Sequence, residues 1–375
     1  MPKPHLVFLF SDTGGGHRSA VEAITEAMAL EYPGAFTWEM VDIFKEYAPL
    51  PLRYAPEIYP TLSRMPTMWA AGYRASDGPY RKQMLFSALW PYLRRSLARL
   101  VRDHPCDLLV SVHPLSNGTV LRSIRKTPTP FVTVVTDMVS THAFWFDERA
   151  DLVMVPTEVA RQRGINLGLK PERVVVTGMP VAEKFTQIQS SKAELRQKLG
   201  WEGDLPVALM VGGGEGMGPL GASAKAIDEA GLPVRLAVVC GRNRHLLHEL
   251  EIHKWRIPHD IYGFVTDMPE RMLAADVLVS KAGPGTISEG FIAGLPIILY
   301  SRMPGQEEGN VDYVVNEQAG VWAPEPELVV AALQRWLVHP EERERAALNS
   351  ARLAKPHASR EIARLLGAKV GIEIY

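Results

Sequence analysis

The chain has 375 residues, more than one hydrophobic core usually organises, so we expect two domains. Hydrophobic residues make up 46% and charged residues 22% of the chain, a composition that excludes an intrinsically disordered protein. The formal net charge of −1 argues against a molecule built as a whole to bind nucleic acid, and the two distant cysteines suggest neither a disulfide framework nor a metal-ligand pair.

The first hydrophobic strand, at 6–10, leads into a glycine-rich turn with the sequence SDTGGGHR at 11–18. Apolar residues at helical spacing predict a helix from 18 to 31. The glycines do not follow the G-x-G-x-x-G pattern, so the turn does not predict a dinucleotide site. His17 stands where a general base could act, although a histidine that merely caps a tight turn fits the isolated motif equally well.

Strand-like segments alternate with helical ones through the first half, which predicts an α/β domain with a parallel, doubly wound sheet. The predicted strands are 6–10, 37–41, 108–112, 131–136, 152–155 and 174–178. His113 and Asp137 follow two of these strands, and His142 and Trp145 lie in the next loop. Because the carboxyl ends of parallel strands meet at one edge of a sheet, we expect these side chains to converge. Asp137 is predicted to orient or assist a base, and Trp145 to pack on an acceptor or a sugar.

The charge is locally asymmetric between residues 50 and 102, where nine basic residues stand against two acidic ones among many aromatic residues. Basic residues mixed with interfacial aromatics suit an anionic membrane surface. A solvated helical face with its aromatics in the core explains the composition equally well. Nucleic acid is a weaker candidate, because no recognised binding motif accompanies the charge.

A linker is predicted at 178–191, and a second α/β series begins with a helix at 192–199. A helical tail is predicted from 340 to 366. The strands predicted between them are 207–211, 234–240, 260–263, 277–280 and 297–300. Each half therefore has the pattern of a Rossmann-type domain, and two facing domains of this kind would hold a ligand in the cleft between them.

Two glycine-rich turns follow strands of the second half. The turn at 212–218 has five glycines among seven residues, more than a simple turn needs, which favours backbone contact with a ligand. The turn at 283–289 stands between a strand and a helix and would aim backbone N–H groups at an anion. Glu289, at its end, could accept hydrogen bonds from ribose hydroxyls. The second turn therefore indicates a nucleoside diphosphate.

A polar loop at 305–310 follows the last clear strand of the second half. Gln306, Glu307 and Asn310 offer the mixed donors and acceptors that sugar hydroxyls require. A solvated surface loop is the alternative interpretation.

Taken together, the motifs resemble those of the monogalactosyldiacylglycerol synthase family, and the resemblance covers nearly the whole chain. The matching segments are SDTGGGHR at 11–18, SVHP at 111–114, FVTVVTD at 131–137, GGGEGMGP at 212–219, CGRN at 240–243, KAGPGT at 281–286, and GLPIIL and PGQEEGN within 294–310. The combination of GGGEGMGP, KAGPGT and PGQEEGN is specific, whereas the glycine-rich turns alone would be weak evidence.

The resemblance implies an α/β fold of the GT-B class, with two facing Rossmann-like domains and an interdomain cleft. It implies an acceptor- and membrane-binding domain at 1–180, a UDP-sugar-binding domain at 181–345, and a C-terminal helix at 346–375 that packs back toward the first domain. The implied enzyme is an inverting hexosyltransferase that moves galactose from UDP-galactose to the 3-hydroxyl of 1,2-diacylglycerol, with no metal or other cofactor.

The resemblance also implies roles for individual residues. His17 and Asp137 would be catalytic, with His17 as the base. The implied donor-binding residues are Gly214, Glu215, Met217, Arg242, Gly263, Phe264, Val265, Gly283, Gly285, Thr286, Glu289, Gln306, Glu307 and Asn310. The implied acceptor-binding residues are Gly15, Gly16, His142 and Trp145.

Three other functions stay open: a diacylglycerol β-glucosyltransferase that uses UDP-glucose, a UDP-sugar epimerase on the same fold, and a non-catalytic UDP-sugar sensor. The expected partners are a UDP-hexose, diacylglycerol and an anionic membrane surface contacted through residues 50–102, with no nucleic acid. The apolar stretch at 6–10 is too short for a signal peptide or a membrane span. We therefore expect a peripheral protein on the cytoplasmic face of the cell membrane.

Overall fold

The computed structural model describes residues 3–12, 16–55, 57–58 and 65–372. The chain forms two compact units. The first unit consists of Met1–Glu183, Pro304–Gln306 and His357–Tyr375. The second unit consists of Lys184–Met303 and Glu307–Pro356. Three separate stretches of the chain therefore build the first unit.

A six-stranded sheet lies at the centre of the first unit, with strand order β2-β1-β3-β4-β5-β6 and parallel pairing throughout. Its strands are β1 (His5–Phe10), β2 (Thr37–Asp42), β3 (Leu108–Ser111), β4 (Phe131–Val134), β5 (Leu152–Val155) and β6 (Val174–Val176). Every residue of β3, β4 and β5 is buried. Such near-continuous burial is expected of a parallel sheet that helices cover on both faces.

The helices that connect these strands are α1 (Gly16–Glu31), α2 (Pro66–Ser76), α3 (Pro79–Asp103), α4 (Pro114–Ser123) and α5 (Glu158–Asn166). Shorter helical turns lie at Ile43–Tyr47, Leu52–Tyr54, Ala143–Trp145 and Pro171–Arg173. Helices α2 to α4 each begin with a proline, which fits the first turn of a helix because its missing N–H would have no helical partner there.

The second unit repeats the architecture with another six-stranded parallel sheet, in the order β12-β11-β10-β7-β8-β9. Its strands are β7 (Val207–Val211), β8 (Arg235–Val239), β9 (His259–Tyr262), β10 (Val277–Lys281), β11 (Ile297–Ser301) and β12 (Gly320–Trp322). The central strands β7 and β10 are buried along almost their whole length and form part of the unit's core.

The helices of the second unit are α6 (Lys184–Gln187), α7 (Lys192–Leu199), α8 (Leu220–Glu229), α9 (Arg244–Glu251), α10 (Met268–Ala274), α11 (Pro284–Ile292), α12 (Glu308–Asn316), α13 (Pro326–Val338) and α14 (Pro340–Leu353). In the described part of the chain, no helix combines the length and the apolar character that a membrane crossing requires.

The last helix, α15 (Ala358–Lys369), belongs to the first unit and packs on α1. Its Leu366 is buried in one hydrophobic cluster with Met28 of α1. At the edge of this contact, Arg364 donates a hydrogen bond of 2.7 Å to Glu31. The core of the first unit therefore includes residues from the end of the chain.

The predicted pair of parallel, doubly wound sheets is confirmed, and the differences are local. Strand β4 ends at Val134, two residues before the predicted end, and the predicted linker at 178–191 contains α6. The predicted tail helix is interrupted before α15, where Pro356 lacks an N–H and restricts the residue that precedes it. Strand β12 was not predicted, since three residues give too short an alternation to detect.

Candidate active site

His17 lies in the first turn of α1, beside residues that follow β3 and β4. The Oγ1 atom of Thr136 is 3.0 Å from the Nδ1 atom of His17. The ring centroid of His113 is 4.7 Å from that of His17, and the ring centroid of Trp145 is 6.2 Å away. The carboxyl edge of the first sheet therefore brings together residues that the sequence places far apart.

The two adjacent histidines of this group differ in what surrounds them. Burial lowers the pKa of His17 to about 4, and a hydrogen bond with the backbone of Val112 opposes the shift only in part. Burial and the neighbouring His17 hold the pKa of His113 well below its usual value. The Nδ1 atom of His113 accepts a hydrogen bond of 3.3 Å from the backbone N–H of Leu115 and so caps α4. His17 is therefore neutral near pH 7.

Asp137 holds two side chains in place. Its Oδ2 atom accepts a hydrogen bond of 2.6 Å from Nε1 of Trp145, and its Oδ1 atom accepts one of 3.0 Å from Nε2 of Gln306. Gln306 belongs to the short stretch of the chain that joins the first unit. Asp137 is buried, and the hydrogen bonds to both of its carboxylate oxygens fix the orientation of Trp145 and Gln306.

The other predicted acceptor-binding residues are His142, Gly16 and Gly15, and they are not among the contacts of His17 and Asp137 described above. Both ring nitrogens of His142 are engaged within the protein, since Nδ1 accepts from the backbone N–H of Phe144 at 3.1 Å and Nε2 lies 3.2 Å from Oγ of Ser76. Gly16 is exposed at the start of α1. Gly15 lies outside the described residues.

The glycine-rich turn at 212–218 in the second unit is shaped partly by its own packing. A Cβ atom at Gly216 would overlap the backbone carbonyl oxygen of Cys240, and one at Gly212 would lie 2.8 Å from the backbone of Gly216. These two glycines are required by close backbone packing, so their presence does not by itself indicate a ligand. The prediction that the turn's backbone contacts a ligand therefore depends on the other glycines, including Gly213 and Gly214. Cβ atoms at Gly213 and Gly214 would meet the side chains of Lys281 and Arg242, respectively.

Arg242 connects this turn with an exposed aromatic ring. Its Nη1 atom is 3.1 Å from Oε1 of Glu215, and its guanidinium carbon is 4.6 Å from the ring centroid of Phe264. Phe264 is 56% exposed. An exposed ring beside a guanidinium offers a flat surface on which a base could stack.

The turn at 283–289 opens α11, whose first helical residue is Pro284. Gly283 precedes the helix and has no side chain with which to cap it, so the first backbone N–H groups, including those of Gly285 and Thr286, are available for an anion. Burial raises the pKa of Glu289 to about 7. The predicted diphosphate and ribose residues therefore lie within a single helix–turn element.

Lys281 has no role among the sequence-based predictions, yet it lies beside both glycine turns. A Cβ atom at Gly283 would be 2.9 Å from its Nζ atom, and one at Gly213 would be 3.2 Å from its Cε atom. The ammonium group is 2.6 Å from Oε1 of Glu307, whose Oε2 accepts a 2.8 Å hydrogen bond from the backbone N–H of Met303. Lys281 ends the buried strand β10, two residues before the glycine turn. This position in the sequence could have identified it as a candidate ligand-binding residue.

The three predicted sugar-binding side chains are all engaged within the protein. Gln306 bonds to Asp137, and Glu307 bonds to Lys281. Asn310 is buried, and its side chain donates to the backbone carbonyl of Ala282 at 2.9 Å, which ties α12 to the turn at 283–289. The structure gives Asn310 an anchoring role in addition to any contact with a sugar.

Comparison with known proteins identifies the family. Residues 17–181 match the family described as monogalactosyldiacylglycerol (MGDG) synthase, and residues 219–365 match the glycosyltransferase family 28 C-terminal domain. A probable chloroplastic monogalactosyldiacylglycerol synthase from Nicotiana tabacum is 37% identical over 369 residues, covering 95% of this chain and 69% of that protein. The chain belongs to the monogalactosyldiacylglycerol synthase family. The predicted resemblance and the predicted enzyme class, a UDP-sugar-dependent hexosyltransferase, are thereby confirmed.

Solved structures share the fold at low sequence identity. WaaG, a glycosyltransferase involved in lipopolysaccharide biosynthesis, has a TM-score of 0.56 and 18% identity, covering 96% of this chain and 99% of that one. A UDP-GlcNAc 2-epimerase from Neisseria meningitidis has a TM-score of 0.63 and 14% identity, with the same coverage of each chain. The predicted GT-B fold class is confirmed, and its occurrence in an epimerase shows that the fold alone does not specify the reaction.

The predicted location on the cytoplasmic face of the cell membrane is wrong. The matched relatives from tobacco, Arabidopsis and rice are chloroplastic plant enzymes. The prediction relied on a short apolar stretch at 6–10, which carries no information about the compartment.

In the parts of the chain that the structure describes, no three or more His, Cys, Asp and Glu side chains converge as metal ligands would.

Proposed function

We propose that the protein transfers galactose from UDP-galactose to the 3-hydroxyl of 1,2-diacylglycerol, with inversion at the anomeric carbon. The observation that carries this proposal is the position of Lys281, whose side chain lies against Gly213 of one glycine turn and Gly283 of the other. A cation beside the uncapped N-terminus of a helix suits the diphosphate of a nucleotide sugar. The choice of galactose as the sugar and of diacylglycerol as the acceptor is inferred from membership of the family.

The second unit supplies most of the donor contacts in this proposal. The N-terminus of α11, with Gly283, Gly285 and Thr286, holds the diphosphate, and Glu289 accepts hydrogen bonds from the ribose. The remaining donor contacts come from Gly263, Phe264 and Val265 at the uracil, Gly214, Glu215, Met217 and Arg242 over the nucleotide, and Gln306, Glu307 and Asn310 around the hexose.

The first unit activates the acceptor, with His17 as the base and Gly16 and Trp145 beside the glycerol. The acceptor oxygen forms a bond to the anomeric carbon while the bond from that carbon to the diphosphate breaks on the opposite face. An α-linked donor thus gives a β-galactoside. The acceptor proton passes to the neutral imidazole of His17, and UDP leaves with the electron pair.

The low pKa of His17 constrains this step. A base with a pKa of about 4 is too weak to remove a proton from a free alcohol before attack begins. It can accept the proton as the new carbon–oxygen bond forms, because the hydroxyl becomes strongly acidic at that stage. Proton transfer is therefore concerted with attack in this mechanism.

We also propose that no metal takes part. Negative charge that develops on the departing diphosphate is stabilised by the Lys281 ammonium and the first N–H groups of α11. Glu307 holds Lys281 in position through their 2.6 Å contact. These groups would supply the charge that a divalent cation supplies in other nucleotide-dependent enzymes.

The lipid acceptor implies contact with a membrane, which we assign to residues 50–102, of which 56 and 59–64 lie outside the described residues. Helix α3 has an exposed apolar stripe at four-residue spacing, in which Tyr80 is 82% exposed and Met84 is 74% exposed. Arg94 and Arg95 are exposed on the same helix. Apolar and basic side chains on one helix are suited to a peripheral contact with anionic lipid.

A transfer assay tests the proposed function directly. The protein is incubated with diacylglycerol vesicles and with radiolabelled UDP-galactose or UDP-glucose, and the lipid products are separated. We expect a labelled β-galactolipid from UDP-galactose. A glucolipid would indicate the glucosyltransferase, interconversion of the free nucleotide sugars would indicate an epimerase, and nucleotide-sugar binding without turnover would indicate a sensor.

A further inference from the structure

Tyr73, in the last turns of α2, lies between two loops of the first unit. Its hydroxyl donates a hydrogen bond of 2.6 Å to the backbone carbonyl of Ser140, and its ring centroid is 4.8 Å from that of His142. The Cδ1 atom of the same ring would be 3.0 Å from a Cβ atom placed at Gly305. Gly305 has a φ of +84°, and the missing side chain lets its backbone approach the tyrosine closely.

Each of the two loops in contact with Tyr73 also carries a hydrogen-bond donor to Asp137. The loop that contains Ser140 and His142 continues to Trp145, whose indole donates to Oδ2 at 2.6 Å. Gly305 is followed directly by Gln306, whose side-chain amide donates to Oδ1 at 3.0 Å. The Tyr73 ring therefore packs against both segments, the 140–145 loop and residues 305–306, whose side chains donate hydrogen bonds to Asp137.

A second set of contacts fixes the end of α2 against the same loop. The Oδ1 atom of Asp77, which ends the helix, accepts a 2.9 Å hydrogen bond from the backbone N–H of Ala143, and its Oδ2 atom accepts one of 2.6 Å from Arg163. Arg163 also donates to the backbone carbonyl of Thr141. These contacts hold the 140–145 loop against the end of α2, the helix that carries Tyr73.

We propose that Tyr73 is a positioning residue for sugar transfer. Its ring sets the distance between the 140–145 loop and Gln306, so that Asp137 accepts from Trp145 and Gln306 at the same time. Tyr73 acts through Gln306 and Asp137 and needs no contact with either substrate. The inference relies on the proposed function, in which Gln306 contacts the hexose and Trp145 lies beside the acceptor.

A kinetic double-mutant cycle tests the proposal. We expect Tyr73→Ala to lower kcat by about tenfold to a hundredfold, the scale expected when reacting groups are misplaced by an ångström. Tyr73→Phe keeps the ring and should stay within about threefold of wild type, since it loses a single hydrogen bond. In a Gln306→Ala background, Tyr73→Ala should lower kcat by less than about twofold further, because residues that act through one another are not additive.

Trp38→Ala provides the matched control, since Trp38 is a partly exposed aromatic on β2 of the same unit and packs against Phe36. Its effect should be additive with that of Gln306→Ala. Full additivity of Tyr73→Ala with Gln306→Ala would overturn the proposal. Equal losses of kcat in Tyr73→Ala and Tyr73→Phe would also overturn it, since the hydroxyl rather than the ring would then be responsible.

The indole N–H resonance of Trp145 gives a readout that does not need activity. In protein labelled with ¹⁵N at tryptophan, and with the signal assigned by Trp145→Phe, Tyr73→Ala should shift this resonance and Trp38→Ala should not. An unchanged resonance would overturn the positioning role. If the wild type transferred no hexose to diacylglycerol, the proposed function would fail, and the resonance would still decide whether Tyr73 positions this cluster.

Discussion

At the scale of single residues, burial determines the properties of the site: it lowers the pKa of His17 and encloses the ion pair between Lys281 and Glu307. Lys281 is partly buried and paired with the buried Glu307, so neither charge is free to move into solvent. Such a pair contributes little net stability, because the cost of desolvating two charges offsets their attraction. It does provide a fixed cation beside the turn to which we assign the diphosphate, and fixed charges stabilise transition states well.

Removing the Lys281 charge should slow the chemical step. We expect Lys281→Met to lower kcat by about a hundredfold to a thousandfold, the range found when one stabilising donor is lost. This change also leaves Glu307 buried without its partner, so Lys281→Met/Glu307→Gln should recover stability while kcat stays low. Lys225→Met is the control, because Lys225 on α8 of the same unit forms a comparable 2.6 Å pair with Glu249 and has no assigned role at the site. A double variant with wild-type kcat would contradict the assignment.

The pH dependence of turnover should reveal the depressed pKa of His17. With saturating donor, we expect kcat to stay level as the pH falls through 6.5 and to decline only toward the His17 pKa of about 4. An inflection near 6.5 would show an ordinary histidine and contradict the assigned environment. His17→Ala should abolish turnover, and if it did not, another residue would be the base.

The same shift fixes the sign of a stability effect. The pKa of His17 is lower in the folded state than in the unfolded state, so the unfolded chain binds more protons between about 4 and 6.5. The contribution to the free energy of unfolding is therefore fully present above 6.5 and is lost as the pH falls toward 4. Denaturant titrations should show a smaller acid-induced loss in His17→Gln.

At the scale of elements, α3 has two opposite faces. Phe86, Leu97 and Leu100 are buried, while the stripe that contains Tyr80 and Met84 is exposed. The composition was compatible with a membrane-binding surface or with aromatics packed in the core, and the aromatic residues of this segment include both kinds. Some belong to the core, and others are available to a membrane.

Vesicle binding tests the exposed face of α3. We expect Arg94→Ala/Arg95→Ala to weaken binding to anionic vesicles by about tenfold to thirtyfold, since each basic residue contributes roughly 1 kcal/mol near such a surface. Added salt should weaken the binding of the wild type more than that of the variant. Lys254→Ala/Arg345→Ala removes two exposed charges from the second unit and should have little effect. Binding that ignores both salt and the α3 charges would count against this surface.

The elements of the fold were largely predictable from the sequence, whereas the contacts of the site were not. Period and turn residues are local signals, so β7 and α7 were predicted with their observed bounds. The contact between Asp137 and Gln306 joins residues 169 positions apart, and no local pattern encodes it. The close packing at Gly216 was likewise hidden, because a glycine required by its own backbone looks the same as one required by a ligand.

At the scale of the whole molecule, the first unit depends on both ends of the chain. Leu366 of α15 is fully buried with residues of α1, the helix that carries His17. We expect Leu366→Ala to lower the free energy of unfolding of this unit by about 2–5 kcal/mol, as for other buried leucines. Leu348→Ala is the control, because Leu348 is 72% exposed and should change stability by less than about 0.5 kcal/mol. Similar losses in both variants would show that α15 is not part of this core.

The return of α15 to the first unit also affects the order in which the protein is made. A ribosome completes residues 1–183 long before it reaches Ala358, so the apolar face of α1 that α15 covers stays open to solvent while the whole second unit is synthesised. Early domains usually fold as they emerge, but this one cannot finish its core until the last helix arrives. The nascent chain therefore presents a hydrophobic surface while the second unit is being synthesised, and chaperones that bind such surfaces are expected to recognise it at that stage.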